Sequence, residues 1–138
     1  MKPSTSLRTL QVCTALLGVV PLLTGLVGLA GLSDPIYADA HLPAHALLDG
    51  NLRFLSGVWL GLGAAVLWLV PRIASQTALF RILWGMIFLG GLGRLLSMLF
   101  AGWPPLPFVG FTLLELLGAP LFIVWQTRVA RQVALGQA

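Results

Sequence analysis

The chain has 138 residues, of which 58% are hydrophobic and only 9% charged, with a mean hydropathy of +0.96. Soluble domains are about 45–50% apolar and about 25% charged, so this composition excludes an ordinary water-soluble enzyme domain, and the length allows one domain. The net charge of +4 comes from eight Lys+Arg against four Asp+Glu, and the basic residues are mostly dispersed at the ends of apolar runs, a pattern of membrane orientation rather than of nucleic-acid binding.

The first apolar run, Val12 to Leu32, is 21 residues without a charge, enough to cross a hydrocarbon core of about 30 Å at about 1.5 Å per residue. Lys2 and Arg8 precede it, and Ala38-Asp39-Ala40 has the small-x-small form of a signal cleavage site. The run is longer than a signal h-region of about 7–15 residues, and the site lies well beyond its end, so the segment is retained as a helix. Pro21 inside it predicts a kink. Gly25, Gly28 and Gly31 recur every third residue along it. Cys13 is the single cysteine. It has no intramolecular partner, no zinc-type spacing around it and no lipoprotein context, and is expected to be a small packing residue.

The connection Ser33 to Asn51 holds Pro35, Pro43, His41, His45 and the aspartates 34, 39 and 49. His41 and His45 have the i, i+4 spacing of metal ligands on one helical face, but Pro43 between them argues against a regular helix, and no metal is expected. Ala44 to Leu48 could form a helical turn leading into the second run, Leu52 to Val70, which begins with Arg53. A short link follows, flanked by Arg72 and Arg81. The third run, Ile82 to Ala101, has Arg94 as its only charge. The stiff turn Gly102-Trp103-Pro104-Pro105-Leu106-Pro107 places a tryptophan where a membrane interface suits it. Phe108 to Trp125 is the fourth run, with Glu115 as its only charge and Pro120 inside. No strand-like alternation is sustained, so a barrel is not expected.

Four antiparallel transmembrane helices in an all-α bundle follow, as a single domain with helices near 12–32, 52–70, 82–101 and 108–125. The segments bearing Lys2 and Arg8, Arg72 and Arg81, and Arg128 and Arg131 contain six basic residues and no acidic one. The other two connections, Ser33 to Asn51 and Gly102 to Pro107, contain no basic residue, and the first holds Asp34, Asp39 and Asp49. Basic segments stay cytoplasmic, which predicts both termini inside and the loop 33–51 outside.

Charges in a hydrocarbon core are costly and normally face a partner or water. Arg94 lies seven residues before the end of its run and Glu115 seven residues into the next. Both therefore sit about 10 Å below the same boundary, on consecutive antiparallel helices, and a salt bridge between them is expected. Small residues mark contact faces in lipid. Arg53 shares a face with Gly57 and Gly61, Arg94 with Gly90, Gly91 and Ser97, and Glu115 with Thr112, Gly118 and Ala119, which turns the three charges inward. Asp49, Asn51, Arg53, Arg94, Ser97 and Glu115 are thus predicted to gather in the outer half of the bundle. Such a cluster is either an ion-pair network that sets helix register, a pocket for an anionic or carbonyl-bearing head group, or part of a transport pathway. No nucleophile–base pair, phosphate loop or H-E-x-x-H appears, so no catalytic residue, cofactor or enzymatic activity is expected.

Asn51-x-Arg53-Phe54 followed by Gly57 and Gly61, then Gly91-x-Gly93-Arg94-x-x-Ser97, the Gly-Trp-Pro-Pro turn and Glu115 resemble the DUF4345 family over roughly residues 12–130. The resemblance implies a small bacterial four-helix integral membrane protein and supplies no activity. The residues and the resemblance together lead to the expectation of a multi-pass protein of the bacterial inner membrane. It would serve as a non-enzymatic binding or accessory protein, with a polar, arginine-containing pocket for a lipid-like or small amphiphilic ligand. The alternative is an oligomeric small transporter or channel, for which the glycine stripe of the first helix offers a contact face. Expected partners are membrane lipids, with a homo-oligomer or a larger membrane complex compatible and nucleic acid excluded.

Overall fold

The computed structural model describes residues 5–136; Lys2, one of the orienting basic residues, lies outside them. Among the described residues there is no strand, and four helices are long and apolar enough to cross a membrane. They are α1, Thr5–Gly28; α2, Ala46–Leu69; α3, Thr77–Ala101; and α4, Leu106–Ala134. Each begins before the apolar run that predicted it, and α4 also ends beyond its run. At the start of α1 and α3 and the end of α4 the added residues include arginine or glutamine, good helix formers, so backbone winding continues where the hydrocarbon-compatible sequence has already stopped. α1 closes at Gly28, before the predicted Leu32, because the chain tightens into a 3-10 turn at Gly31–Ser33. A second 3-10 turn, Pro35–Ala40, is begun by Asp34, whose side chain accepts from the Ile36 N–H at 3.0 Å.

The chain divides into two compact units, 12–70 and 1–11 with 71–138. In the first, α1 and α2 run antiparallel with their backbones in close approach. A Cβ on Gly25 would stand 2.6 Å from the Leu60 nitrogen, and one on Gly63 would stand 2.5 Å from the Leu22 nitrogen. One on Gly28 would collide with the Ser56 hydroxyl. The glycine stripe of α1 is therefore used within the chain, against α2, and is not the free contact face its sequence suggested. On α2 the face turned to α1 carries Arg53, Ser56, Leu60 and Gly63. The Gly57–Gly61 pair is not part of that packing: nothing lies within 4 Å of a Cβ on Gly61, and only Leu29, at 3.9 Å, meets one on Gly57. Trp59 Nε1 donates to Thr24 Oγ1 at 2.9 Å and ties the two helices at mid-length.

In the second unit α3 and α4 are antiparallel around an aromatic row. Phe80 and Trp84 meet edge-on at 5.3 Å, Trp84 and Phe122 at 5.2 Å, and Phe122 and Trp125 at 5.6 Å. Gln126, fully buried, donates through Nε2 to the Ile73 carbonyl at 2.8 Å and to Thr77 Oγ1 at 2.9 Å. It thereby satisfies a carbonyl in the link that leads into α3. Trp125 Nε1 donates to Ser6 Oγ at 3.0 Å, fastening the first turn of α1 to this unit.

α3 stops at Gly102, whose φ of 102° a side chain would not tolerate. α4 starts with Pro107 in its first turn, where the missing N–H costs nothing. Within α4, residues Leu114–Gly118 form a π turn. It ends two residues before Pro120, which has no N–H for the Leu116 carbonyl and a ring that would press on it; the wider turn gives that carbonyl room. Large apolar side chains such as Phe54, Leu89, Leu99, Phe100 and Leu121 are more than half exposed. So many exposed large apolar side chains are foreign to a soluble monomer, and the protein is a multi-pass membrane protein.

Candidate functional site

The predicted polar residues form two groups, one in each unit. In the first, Asp49 stands in the opening turn of α2, where the helix dipole favours a carboxylate, with Arg53 one turn on. Arg53 Nε and Nη2 donate to Asp49 Oδ2 and Oδ1 at 2.7 and 3.2 Å. Its Nη1 donates to the Leu29 carbonyl at 2.7 Å. Asp49 Oδ1 also accepts from the Leu32 N–H at 3.0 Å. A helix end leaves carbonyls without intrahelical partners, and α1 ends at Gly28. The Asp49–Arg53 pair is thus a clamp: it caps the end of α1 and holds the 3-10 turn after it. Gly31 makes the clamp possible. Its φ is 64°, and a Cβ there would collide with Asp49 Oδ1 and Arg53 Nε. Asn51, exposed on α2, takes no part among the described contacts.

The second group lies between α3 and α4 beside the Gly102–Pro105 turn. Arg94 Nε stands 3.1 Å from Glu115 Oε2, with side-chain exposures of 39% and 10%. The approach is an ion pair off hydrogen-bond alignment, and Oε2 has no hydrogen-bond partner. Gly91, one turn before Arg94, makes room for it: a Cβ there would be 2.8 Å from the Glu115 Cβ. Gly90 and Gly93, its neighbours in sequence, face open space. Glu115 itself is set in the π turn. Arg94 Cζ lies 5.9 Å from the centre of the Phe108 ring, within reach of a cation–π attraction.

Arg94 also lines a cavity of about 340 Å³ with Ser97, Met98, Ala101, Gly102, Trp103, Pro104, Phe108 and Thr112. Arg94 makes no hydrogen bond through Nη1 or Nη2 among the described residues; its contact with Glu115 runs through Nε. Thr112 Oγ1 is spent on its own helix, donating to the Phe108 carbonyl at 2.9 Å. Apart from the Ser97 hydroxyl, the rest of the wall's side chains are apolar or aromatic. Of this lining, the sequence pattern singled out Arg94 and Ser97 as site residues and missed Met98, Ala101, Trp103, Pro104 and Phe108; Thr112 was noted only for sharing the Glu115 face. The signal was present in the helical period. Ser97, Met98 and Ala101 follow Arg94 at i+3, i+4 and i+7, and Thr112 and Phe108 precede Glu115 at i−3 and i−7.

His41 ends the second 3-10 turn with φ 45°, and His45 precedes the first residue of α2. They share no helical face. No group of three metal-ligating side chains occurs among the described residues.

A family model described as a domain of unknown function (DUF4345) matches residues 9–126. No curated protein and no solved structure matches the chain.

Proposed function

The chain belongs to the DUF4345 family, and from that premise we propose that it is a binding or accessory protein of the bacterial inner membrane whose ligand is a small amphiphile. The observation that carries the reading is the cavity between α3 and α4, in which Arg94, paired through Nε with Glu115, stands among largely apolar and aromatic walls. Ligand sites combine apolar lining with a few placed polar groups and run from about 300 to 1,000 Å³; this one is at the small end. A positive group within an apolar wall suits a molecule with one anionic or carbonyl-bearing head and one hydrocarbon tail. With the basic segments cytoplasmic, the Gly102–Pro105 turn lies outside and the cavity belongs to the outer half of the membrane. The reading places the site on Arg94 and Ser97, because Asp49 and Arg53 are already occupied in closing α1 on α2.

The test is what the protein carries out of the membrane. Full-length protein extracted in mild detergent is expected to retain a specific amphiphile, identified by native mass spectrometry and lipid analysis. Arg94→Gln is expected to lose it while Gly61→Ala keeps it. Retention of the same lipids by both variants, in proportion to their abundance in the membrane, would leave the pair with Glu115 as a register-setting contact only.

A further inference from the structure

We infer that the head group this cavity takes is a single bare carboxylate on one alkyl chain, a fatty-acid-type ligand rather than a phospholipid or a phosphate ester; the inference rests on the amphiphile-site reading above. The first support is charge. Arg94 is the one cation lining the cavity, and its Nε side is already 3.1 Å from Glu115. A monoanion brings the group of Arg94, Glu115 and ligand to a net charge of −1. A phosphate monoester dianion would leave an excess of two negative charges in a site walled by apolar side chains, where uncompensated charge is costly.

The second support is the count of donors. Nη1 and Nη2 form the planar fork that pairs with the two oxygens of a carboxylate. Ser97, one turn further along α3, adds a hydroxyl that makes no hydrogen bond among the described residues. Thr112 already donates to the Phe108 carbonyl. The other side chains of the wall, Met98, Ala101, Pro104 and Phe108, offer no N–H or O–H, and Trp103 adds one indole N–H. A carboxylate, which only accepts, matches these donors; the hydroxyls of a glycerol head would also compete for acceptors, of which the wall's side chains offer only the Ser97 and Thr112 hydroxyls.

The experiment uses the full chain in phosphatidylcholine nanodiscs, with dodecanoate, 1-dodecanol, dodecyl phosphate and phosphatidylglycerol as probes and retention measured by native mass spectrometry. Dodecanoate is expected to bind saturably, one per chain, at least tenfold more tightly than the alcohol and than dodecyl phosphate. Ser97→Ala, an exposed hydroxyl whose loss leaves the Arg94–Glu115 pair intact, is expected to weaken dodecanoate several-fold and leave the alcohol unchanged. Arg94→Lys keeps the charge, loses the fork, and is expected to fall about tenfold. Tighter binding of phosphatidylglycerol or dodecyl phosphate, or equal binding of acid and alcohol, would overturn the carboxylate while the amphiphile site stands. Saturable binding of none of the four would overturn both.

Discussion

Arg94 pairs with Glu115 through Nε and also lines a cavity, so the two halves of its role separate by substitution. Glu115→Gln removes the compensating charge from beside an arginine that is 39% exposed. Breaking a buried pair costs about 3–5 kcal/mol, and the partial exposure of Arg94 puts the expected loss lower, at about 2 kcal/mol. Replacing both, Arg94→Met with Glu115→Leu, is expected to recover most of that loss in thermal unfolding, while ligand retention is not recovered. Additive destabilisation would mean that the two side chains do not interact. Glycine offers a second comparison at this scale. Gly91→Ala drives a methyl to 2.8 Å from the Glu115 Cβ and is expected to cost about 1–3 kcal/mol through overpacking. Gly93→Ala meets nothing within 4 Å and is expected to be neutral, or stabilising by up to about 1 kcal/mol from helix propensity. Equal effects of the two in an unfolding assay would contradict the packing described.

Where α1 ends and α2 begins, two backbone groups depend on one side-chain pair: Arg53 donates to the Leu29 carbonyl and Asp49 accepts from the Leu32 N–H. Exchanging the charges, Asp49→Arg with Arg53→Asp, keeps an ion pair and misplaces both backbone partners. It is therefore expected to lower the unfolding temperature about as much as Asp49→Ala alone. Full rescue by the exchange would show that the pair acts by charge and not as a clamp. Gly31→Ala should injure the same feature by another route, since its φ of 64° and the adjacent carboxylate both exclude a methyl. Its expected signature is faster proteolysis in the 29–45 connection with α3 and α4 still protected.

At the scale of the whole molecule, orientation rests on the basic segments: Arg72 and Arg81 around one link and Arg128 and Arg131 after the last apolar run. Single cysteines at His45, Gln76 and Ala134, in a Cys13→Ser background, test it in intact cells. Position 45 is expected to react with a membrane-impermeant thiol reagent, and positions 76 and 134 only after permeabilisation. Reaction at 76 from outside would reverse the proposed topology and move the cavity to the inner half.

Composition and run length alone determined that this is a membrane protein of four helices, because lipid demands about 20 apolar residues per crossing and forbids scattered charge. The sequence also located the Arg94–Glu115 pair, since equal offsets from a shared turn become equal depths on antiparallel helices. It did not distinguish Gly91 from Gly90 and Gly93, or Gly63 from Gly61: neighbouring small residues look alike in a string, and only the crossing of two backbones selects the one that must stay bare. Nor did it separate Arg53 from Arg94, which occur in similar Arg-x-Leu-Ser strings. Tertiary structure separated them, because Arg53 stands beside a helix end with a carbonyl to fill, whereas Arg94 pairs with Glu115 and lines a cavity.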